Sequence, residues 1–233
     1  MASVISPLHA ESIRAQVALA REHIAAAAKR AGRAGDAVEL LVATKYVALA
    51  DLPILAQAGV KLLGENRAQD LEAKATAHGD LFTWDFIGQL QSRKVRTIVP
   101  HVRLIHSLAS MSAMRELERH LDAAKPGLQA LIEVNVAGEQ DKAGVAPHEL
   151  DLYLERCPVP VAGLMGMPPA AEHPSQSRRW FSALRELAHE RGLRELSMGT
   201  SQDFEVAVEE GATIVRLGTS VLSTGMALQL GSA

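Results

Sequence analysis

Eight short aliphatic runs recur along the 233-residue chain, and polar, amphipathic or crossover segments separate them. The runs are 38–44, 61–64, 83–88, 102–108, 128–136, 159–164, 194–197 and 213–217. Helix-like stretches fall between several of them, at 67–77, 111–123, 147–155, 176–190 and 203–210. Leu40-Leu41-Val42-Ala43 and Leu131-Ile132-Glu133-Val134 approach the continuous apolar runs of strands buried on both faces. Parallel strands need such crossovers, so the pattern predicts a parallel α/β chain. Eight repeats in one domain of this length fit a (β/α)8 TIM barrel. A doubly wound open sheet is the competing architecture, but it usually carries a glycine-rich turn after its first strand. Here that turn reads Thr44-Lys45-Tyr46-Val47.

Before the first run, Ser6-Pro7 reads as an N-cap with proline at the first helical position. Ile13, Val17, Ala20, Ile24 and Ala27 follow at helical spacing, and Gly32 suits the C′ position. An extra N-terminal helix over about residues 8–31 is therefore expected. The 24 Lys+Arg and 27 Asp+Glu leave a formal charge of −3 with both signs mixed, which gives no field for nucleic acid or an anionic membrane. No apolar run reaches the ~18–20 residues of a membrane span. Charges at Glu11, Arg14, Arg21 and Glu22 interrupt any signal-peptide core. The single cysteine, Cys157, excludes an intramolecular disulfide and makes a reducing cytoplasm the default; it reads as a small hydrophobe. The histidines form no ligand spacing, so no metal site is expected.

In a barrel of this kind function collects at the C-terminal strand ends. Lys45 follows an almost wholly apolar strand and shares parity with Leu41 and Ala43. An ammonium held there loses hydration, which favours the nucleophilic amine and Schiff-base chemistry with an aldehyde; alternatively the side chain snorkels into water. The last two strand ends, Ser197-Met198-Gly199-Thr200-Ser201 and Gly218-Thr219-Ser220, read as an anion site. Ser201 fits either a phosphate ligand or a plain N-cap for the helix near Asp203, whereas Gly218 and Thr219 are the stronger candidates. Arg216, flanked by Val215 and Leu217, must enter the site and pair or reach solvent between helices. Facing a pyridine nitrogen, it would leave that nitrogen unprotonated and the ring a weak electron sink.

Several segments occur together in order: Leu63-Gly64-Glu65-Asn66, Trp84 to Lys94, Ile132-Glu133-Val134-Asn135-Val136 with Lys142-Ala143-Gly144-Val145, Gly163 to Pro168, Leu196 to Asp203, and Val215 to Thr219. With 41–47 they resemble the pyridoxal phosphate homeostasis protein family, also called the proline synthetase co-transcribed family, over residues 38–222. The resemblance implies a single-domain PLP fold-type III barrel, like the N-terminal domain of alanine racemase. It implies pyridoxal 5′-phosphate (PLP) as an internal aldimine on Lys45, phosphate contacts from Ser201, Gly218 and Thr219, and Arg216 at the ring nitrogen. Asn66, and Met198 against the ring, complete the set. Asp85, Arg93 and Thr200 stand where that family commonly has His, Asn and Met, and Leu222-Ser223 replaces its usual Phe-Gly. The first two changes point to an altered outer mouth, and Thr200 to an added hydroxyl near the phosphate.

The function implied is intracellular vitamin B6 homeostasis by a cytoplasmic monomer without substantial catalysis, with PLP-requiring apo-enzymes as candidate recipients. A PLP-dependent amino-acid racemase is the alternative, and it needs a second acid/base opposite the lysine. Of the two tyrosines, Tyr46 neighbours Lys45 and takes the opposite strand parity, and Tyr153 lies on a predicted helix. A class I aldolase-like barrel is the third reading, one that needs no cofactor.

Overall fold

In the computed structural model, which describes residues 5, 7–140 and 142–223, eight parallel strands close into a barrel in sequence order. They are β1 (Glu39–Ala43), β2 (Leu62–Glu65), β3 (Thr83–Phe86), β4 (Leu104–Leu108), β5 (Gln129–Glu133), β6 (Val161–Met165), β7 (Glu195–Ser197) and β8 (Ile214–Leu217). Six lie wholly within one predicted run each, and β2 and β6 extend one residue past theirs, to Glu65 and Met165. Closure brings β1 beside β8, with Leu41 opposite Arg216 and Val42 opposite Leu217. The first strand is thereby made a neighbour of the last two strand–helix junctions.

The extra helix is α1 (Ala10–Arg30), whose Ile13, Val17, Ala20, Ile24 and Ala27 are buried as the spacing predicts. It starts later than expected. His9 is extended at the N-cap and Leu8 is buried, while the N–H of Ile5 donates to the Tyr46 carbonyl. This tie holds the incoming chain extended and delays the first turn; Ser6 itself lies outside the described residues. At the far end the Gly32 and Arg33 N–H groups donate to Lys29 and Ala28 carbonyls, a Schellman closure.

The crossovers carry α2 (Leu52–Gln57), α3 (Ala68–His78), α4 (Val95–Ile98), α5 (Met111–Arg119), α6 (Leu150–Arg156), α7 (Arg178–Glu190), α8 (Phe204–Glu209) and α9 (Thr219–Leu222). Among the described residues no helix is long and apolar enough to cross a membrane.

Two apolar layers result from strand alternation. Outward residues such as Val42, Leu63, Trp84, Phe86, Ile105, Ile132 and Leu217 pack with the helices in one continuous cluster. Inside, Leu41, Leu104, Leu131, Met165 and Ile214 form a small separate cluster. Gly64 makes that interior possible, because a Cβ there would stand 2.4 Å from Leu41 Cδ2. The remaining interior is polar: Asp85, His106, Ser197 and Arg216 are buried and bonded to one another across it, and Glu133 is buried on β5.

Candidate functional site

Three consecutive strands of the closed barrel, β7, β8 and β1, bring together Ser201, Arg216, Gly218, Thr219 and Lys45. The β7–α8 and β8–α9 loops are joined by a 2.7 Å hydrogen bond between the Ser201 and Ser220 hydroxyls. Ser201 is thus not the N-cap of α8; Asp203 holds that position. Gly199, at φ +91°, sets the path of the first loop, since a Cβ there would meet Ala207 Cβ at 2.6 Å and Phe204 Cα at 2.9 Å. Its carbonyl accepts from the Arg216 N–H at 3.0 Å, tying the loop to β8. Thr200 is occupied elsewhere: its N–H and hydroxyl both donate to Asp203 Oδ1, at 2.8 and 3.2 Å. The expected extra hydroxyl for a phosphate is therefore spent on the N-cap carboxylate.

Gly218 is the N-cap of α9, and a Cβ there would meet nothing closer than Ala43 at 3.7 Å. The first-turn N–H groups of Thr219 and Ser220 find no acceptor among the described residues. Bare N–H groups, hydroxyls from two loops and open space at a glycine suit an anionic oxygen cluster.

Arg216 points into the barrel. Nη1 donates to Ser197 Oγ at 2.6 Å and Nη2 to the Gly166 carbonyl at 3.3 Å. Burial pulls the guanidinium down to about 10, while the Asp203 and Glu133 charges pull it back up. It remains a cation at neutral pH and makes no ion pair among the described residues. Glu133, at the end of β5, is pushed up from the ordinary carboxyl range by burial, against the pull of Arg216.

Lys45 lies in a turn just beyond β1 and is exposed, with Nζ 4.7 Å from the Tyr46 ring centroid. The burial expected from strand parity is absent because the strand ends at Ala43 and alternation ends with it. For the same reason Tyr46 does not face away from Lys45; its ring lies under the ammonium. The turn is anchored one residue earlier. Buried Lys74 donates to the Thr44 carbonyl at 2.8 Å and to Glu65 Oε2 at 2.6 Å, and Thr44 Oγ1 donates to the same oxygen at 2.9 Å. Glu65 Oε1 accepts from the Asn66 N–H at 2.7 Å. Asn66 leaves its side-chain oxygen buried with no donor among the described residues.

Two expectations are corrected. Met198 is fully buried in the outer layer between barrel and helices, opposite in parity to inward Ser197, so it does not face the mouth. Asp85 is not at the mouth either; it is fully buried in the interior, bonded to His106 and Arg103. Arg93 is exposed in the turn after β3. A cavity of about 900 Å³ on the outer surface, lined by residues including Arg178, Arg179, Trp180 and Glu210, contains none of the predicted site residues.

A pyridoxal phosphate homeostasis protein of Aquifex aeolicus is 43% identical over 209 residues, spanning 85% of this chain and 92% of that protein. The chain belongs to the pyridoxal phosphate homeostasis protein family. The broader family described as alanine racemase, N-terminal domain, matches residues 11–224, in keeping with a single-domain fold-type III barrel. PipY of Synechococcus elongatus PCC7942, solved with PLP bound, superposes with a TM-score of 0.74 at 29% identity, covering 91% of this chain and 100% of that one. A protein of unknown function from Bifidobacterium adolescentis gives 0.83 at 31% identity over 94% and 98% of the two chains.

Within this family member, residue-by-residue reading missed the roles of Ser197, His106, Ser220 and Lys74. Ser197 and His106 carried a signal, being polar residues of inward parity on apolar strands. Lys74 carried none, because its partners Thr44 and Glu65 lie 30 and 9 residues away.

Proposed function

We propose that this chain binds PLP at the β7–β8–β1 side of the mouth and holds it through Lys45 as a carrier, with no racemase activity. The observation that carries the reading is Arg216. Of the five N–H donors of its side chain, two are used on Ser197 and Gly166, so three have no acceptor among the described residues. A buried cation left without a carboxylate partner is costly unless a ligand supplies the acceptor. Arg216, on β8, stands between β1, which leads into the turn of Lys45, and β7, which leads into the loop of Ser201. These residues therefore fit an elongated ligand with an aldehyde at one point, a ring nitrogen at another and a phosphate tail.

PLP supplies an aldehyde that condenses with a primary amine with loss of water, a pyridine nitrogen and an anionic phosphate. Lys45 provides the amine. Ser201, Gly218 and Thr219, with the Thr219 and Ser220 N–H groups, hold the phosphate. Arg216 donates to the ring nitrogen and keeps its own proton, so that nitrogen stays unprotonated. Asn66 offers its unpartnered oxygen near the mouth.

The racemase alternative needs an acid/base across the ligand from Lys45. Tyr46 lies beneath the Lys45 ammonium, and Tyr153 packs from α6 against the outer apolar layer. Neither is placed for that role. The exposure of Lys45 suits exchange of the aldehyde with PLP-requiring apo-enzymes.

Borohydride reduction after PLP loading, followed by peptide mass spectrometry, is expected to find the pyridoxyl group on Lys45. An adduct on another residue, or none, would sink the reading. Loaded protein incubated with single-enantiomer amino acids is expected to leave each enantiomer unchanged; interconversion that disappears in Lys45→Ala would establish the racemase instead.

A further inference from the structure

We propose that Asp85, His106 and Ser197 form a positioning relay through the barrel interior that fixes the guanidinium of Arg216 for the ring nitrogen it faces. The proposal rests on the reading of Arg216 as the donor to that nitrogen. Four strands contribute one buried residue each: Asp85 on β3, His106 on β4, Ser197 on β7 and Arg216 on β8.

The contacts run Arg216 Nη1 to Ser197 Oγ at 2.6 Å, Ser197 Oγ to His106 Nδ1 at 2.8 Å, and His106 Nε2 to Asp85 Oδ2 at 3.1 Å. Arg103 closes the far end, donating from Nε to Asp85 Oδ1 at 3.0 Å and from Nη2 to Asp85 Oδ2 at 3.2 Å. It also reaches Glu39 at the start of β1 with both terminal nitrogens.

The direction of every proton follows from the two ends. A guanidinium can only donate, so Ser197 Oγ accepts from Arg216 and must place its own proton elsewhere. The Asp85 carboxylate, already receiving Arg103, accepts from His106 Nε2. The imidazole then carries its proton on Nε2 and offers Nδ1 as the acceptor for the Ser197 hydroxyl. Burial keeps this ring below the ordinary imidazole range despite the Asp85 contact, and the Arg216 and Arg103 charges act in the same direction. A neutral ring is the form this arrangement needs. Arg216 gives, Ser197 and His106 each give and receive, and Asp85 receives, so the rotamer of Arg216 is set by a chain with a single internally consistent proton order. One edge of the guanidinium is thereby held inside the barrel and its unused donors are left for a ligand.

His106 and Ser197 are positioning residues in this scheme, acting through Arg216. The first measurement uses ¹⁵N-labelled protein without PLP, with long-range proton–nitrogen correlations reporting the His106 tautomer. A neutral ring protonated on Nε2 is expected. A proton on Nδ1, or a doubly protonated ring at neutral pH, overturns the relay whatever PLP does.

The second measurement is PLP titration of His106→Leu and His106→Asn, each with Arg216 intact and with Arg216→Ala. Asn places an oxygen near the position of Nδ1, so Ser197 keeps its acceptor. His106→Leu is expected to weaken PLP binding about tenfold and shift the absorbance of the bound form, with most of both effects restored in His106→Asn. Neither change should matter once Arg216 is Ala, which is the mark of action through that residue. Ser197→Ala, which removes one hydroxyl, gives the same readout should His106→Leu not fold. Equal losses in the Leu and Asn variants, or an undiminished loss in the Arg216→Ala background, overturn the relay alone. An Arg216→Ala protein with unchanged PLP affinity and spectrum overturns the reading of Arg216, and the relay's purpose with it.

Discussion

Lys74→Met removes one side of the buried ion pair that anchors the Lys45 turn. Lys74 and Glu65 are 5% and 0% exposed, and Nζ lies 2.6 Å from Glu65 Oε2. Methionine preserves most of the aliphatic stem, so the loss is the charge and its two hydrogen bonds. Glu65 then keeps the Thr44 hydroxyl and the Asn66 and Arg67 N–H groups, none of them a cation, and a buried carboxylate deprived of its cation costs about 3–5 kcal/mol. For a chain of this size each kcal/mol lowers the melting temperature by roughly 2–4 °C, so a fall of roughly 6–20 °C is expected in thermal denaturation. Adding Glu65→Gln removes the stranded charge and keeps an acceptor for the Asn66 N–H; its NH2 can donate to the Thr44 hydroxyl, whose own proton has the Gly64 carbonyl at 3.2 Å, and at least half of the loss should be recovered. Release of the Thr44 carbonyl also loosens the turn, so borohydride trapping at subsaturating PLP should yield less adduct, still on Lys45. A Lys74→Met protein that melts within about 2 °C of the parent would refute this account of the pair.

Gly218→Asp should abolish PLP retention on gel filtration, whereas Arg216→Ala should only weaken it. The aspartate puts a carboxylate at the proposed phosphate site, and the open space around Gly218 lets the variant fold. Glu133→Gln should raise stability at neutral pH. Its carboxyl is held above the ordinary value in the folded state, so ionisation disfavours folding as pH rises past about 4.5; the advantage in urea denaturation should vanish below that pH. Gly199→Ala should cost at least about 2 kcal/mol by the same assay, because the added methyl meets both Ala207 and Phe204 at a positive φ.

The strands were legible because each combines an aliphatic body with a polar or small residue just past its end, as at Ala43-Thr44 and Leu217-Gly218. Helices α2, α4 and α9 were not, since four to six residues complete too little of a 3.6-residue period to stand out. The site divides along a similar line. Lys45, Ser201, Gly218 and Thr219 follow strand ends, where position alone marks them. The exposure of Lys45 and the outward turn of Met198 depend on where alternation stops, which is set by backbone pairing. The interior polar chain was harder still. Asp85, His106 and Ser197 share inward parity, but which of them meet is set by closure of the barrel, which brings residues 21 and 91 positions apart into contact across its interior. Arg103 meets Asp85 only because neighbouring strands pair.

The exposure of Lys45, which corrected the sequence expectation, argues for the carrier reading. A racemase must exclude water from its lysine and place a second acid/base across the ligand. This chain has an amine at an open turn, and its two tyrosines lie beneath that amine and against the outer apolar layer, neither across a ligand from it. Release of an aldehyde from an amine requires water or a competing amine at the same carbon, and both need access from solvent. The features that would handicap proton transfer are therefore those that permit capture and return of the aldehyde. Retention then falls to the phosphate loops and Arg216, whose contacts are reversible and whose partners are fixed from within the barrel.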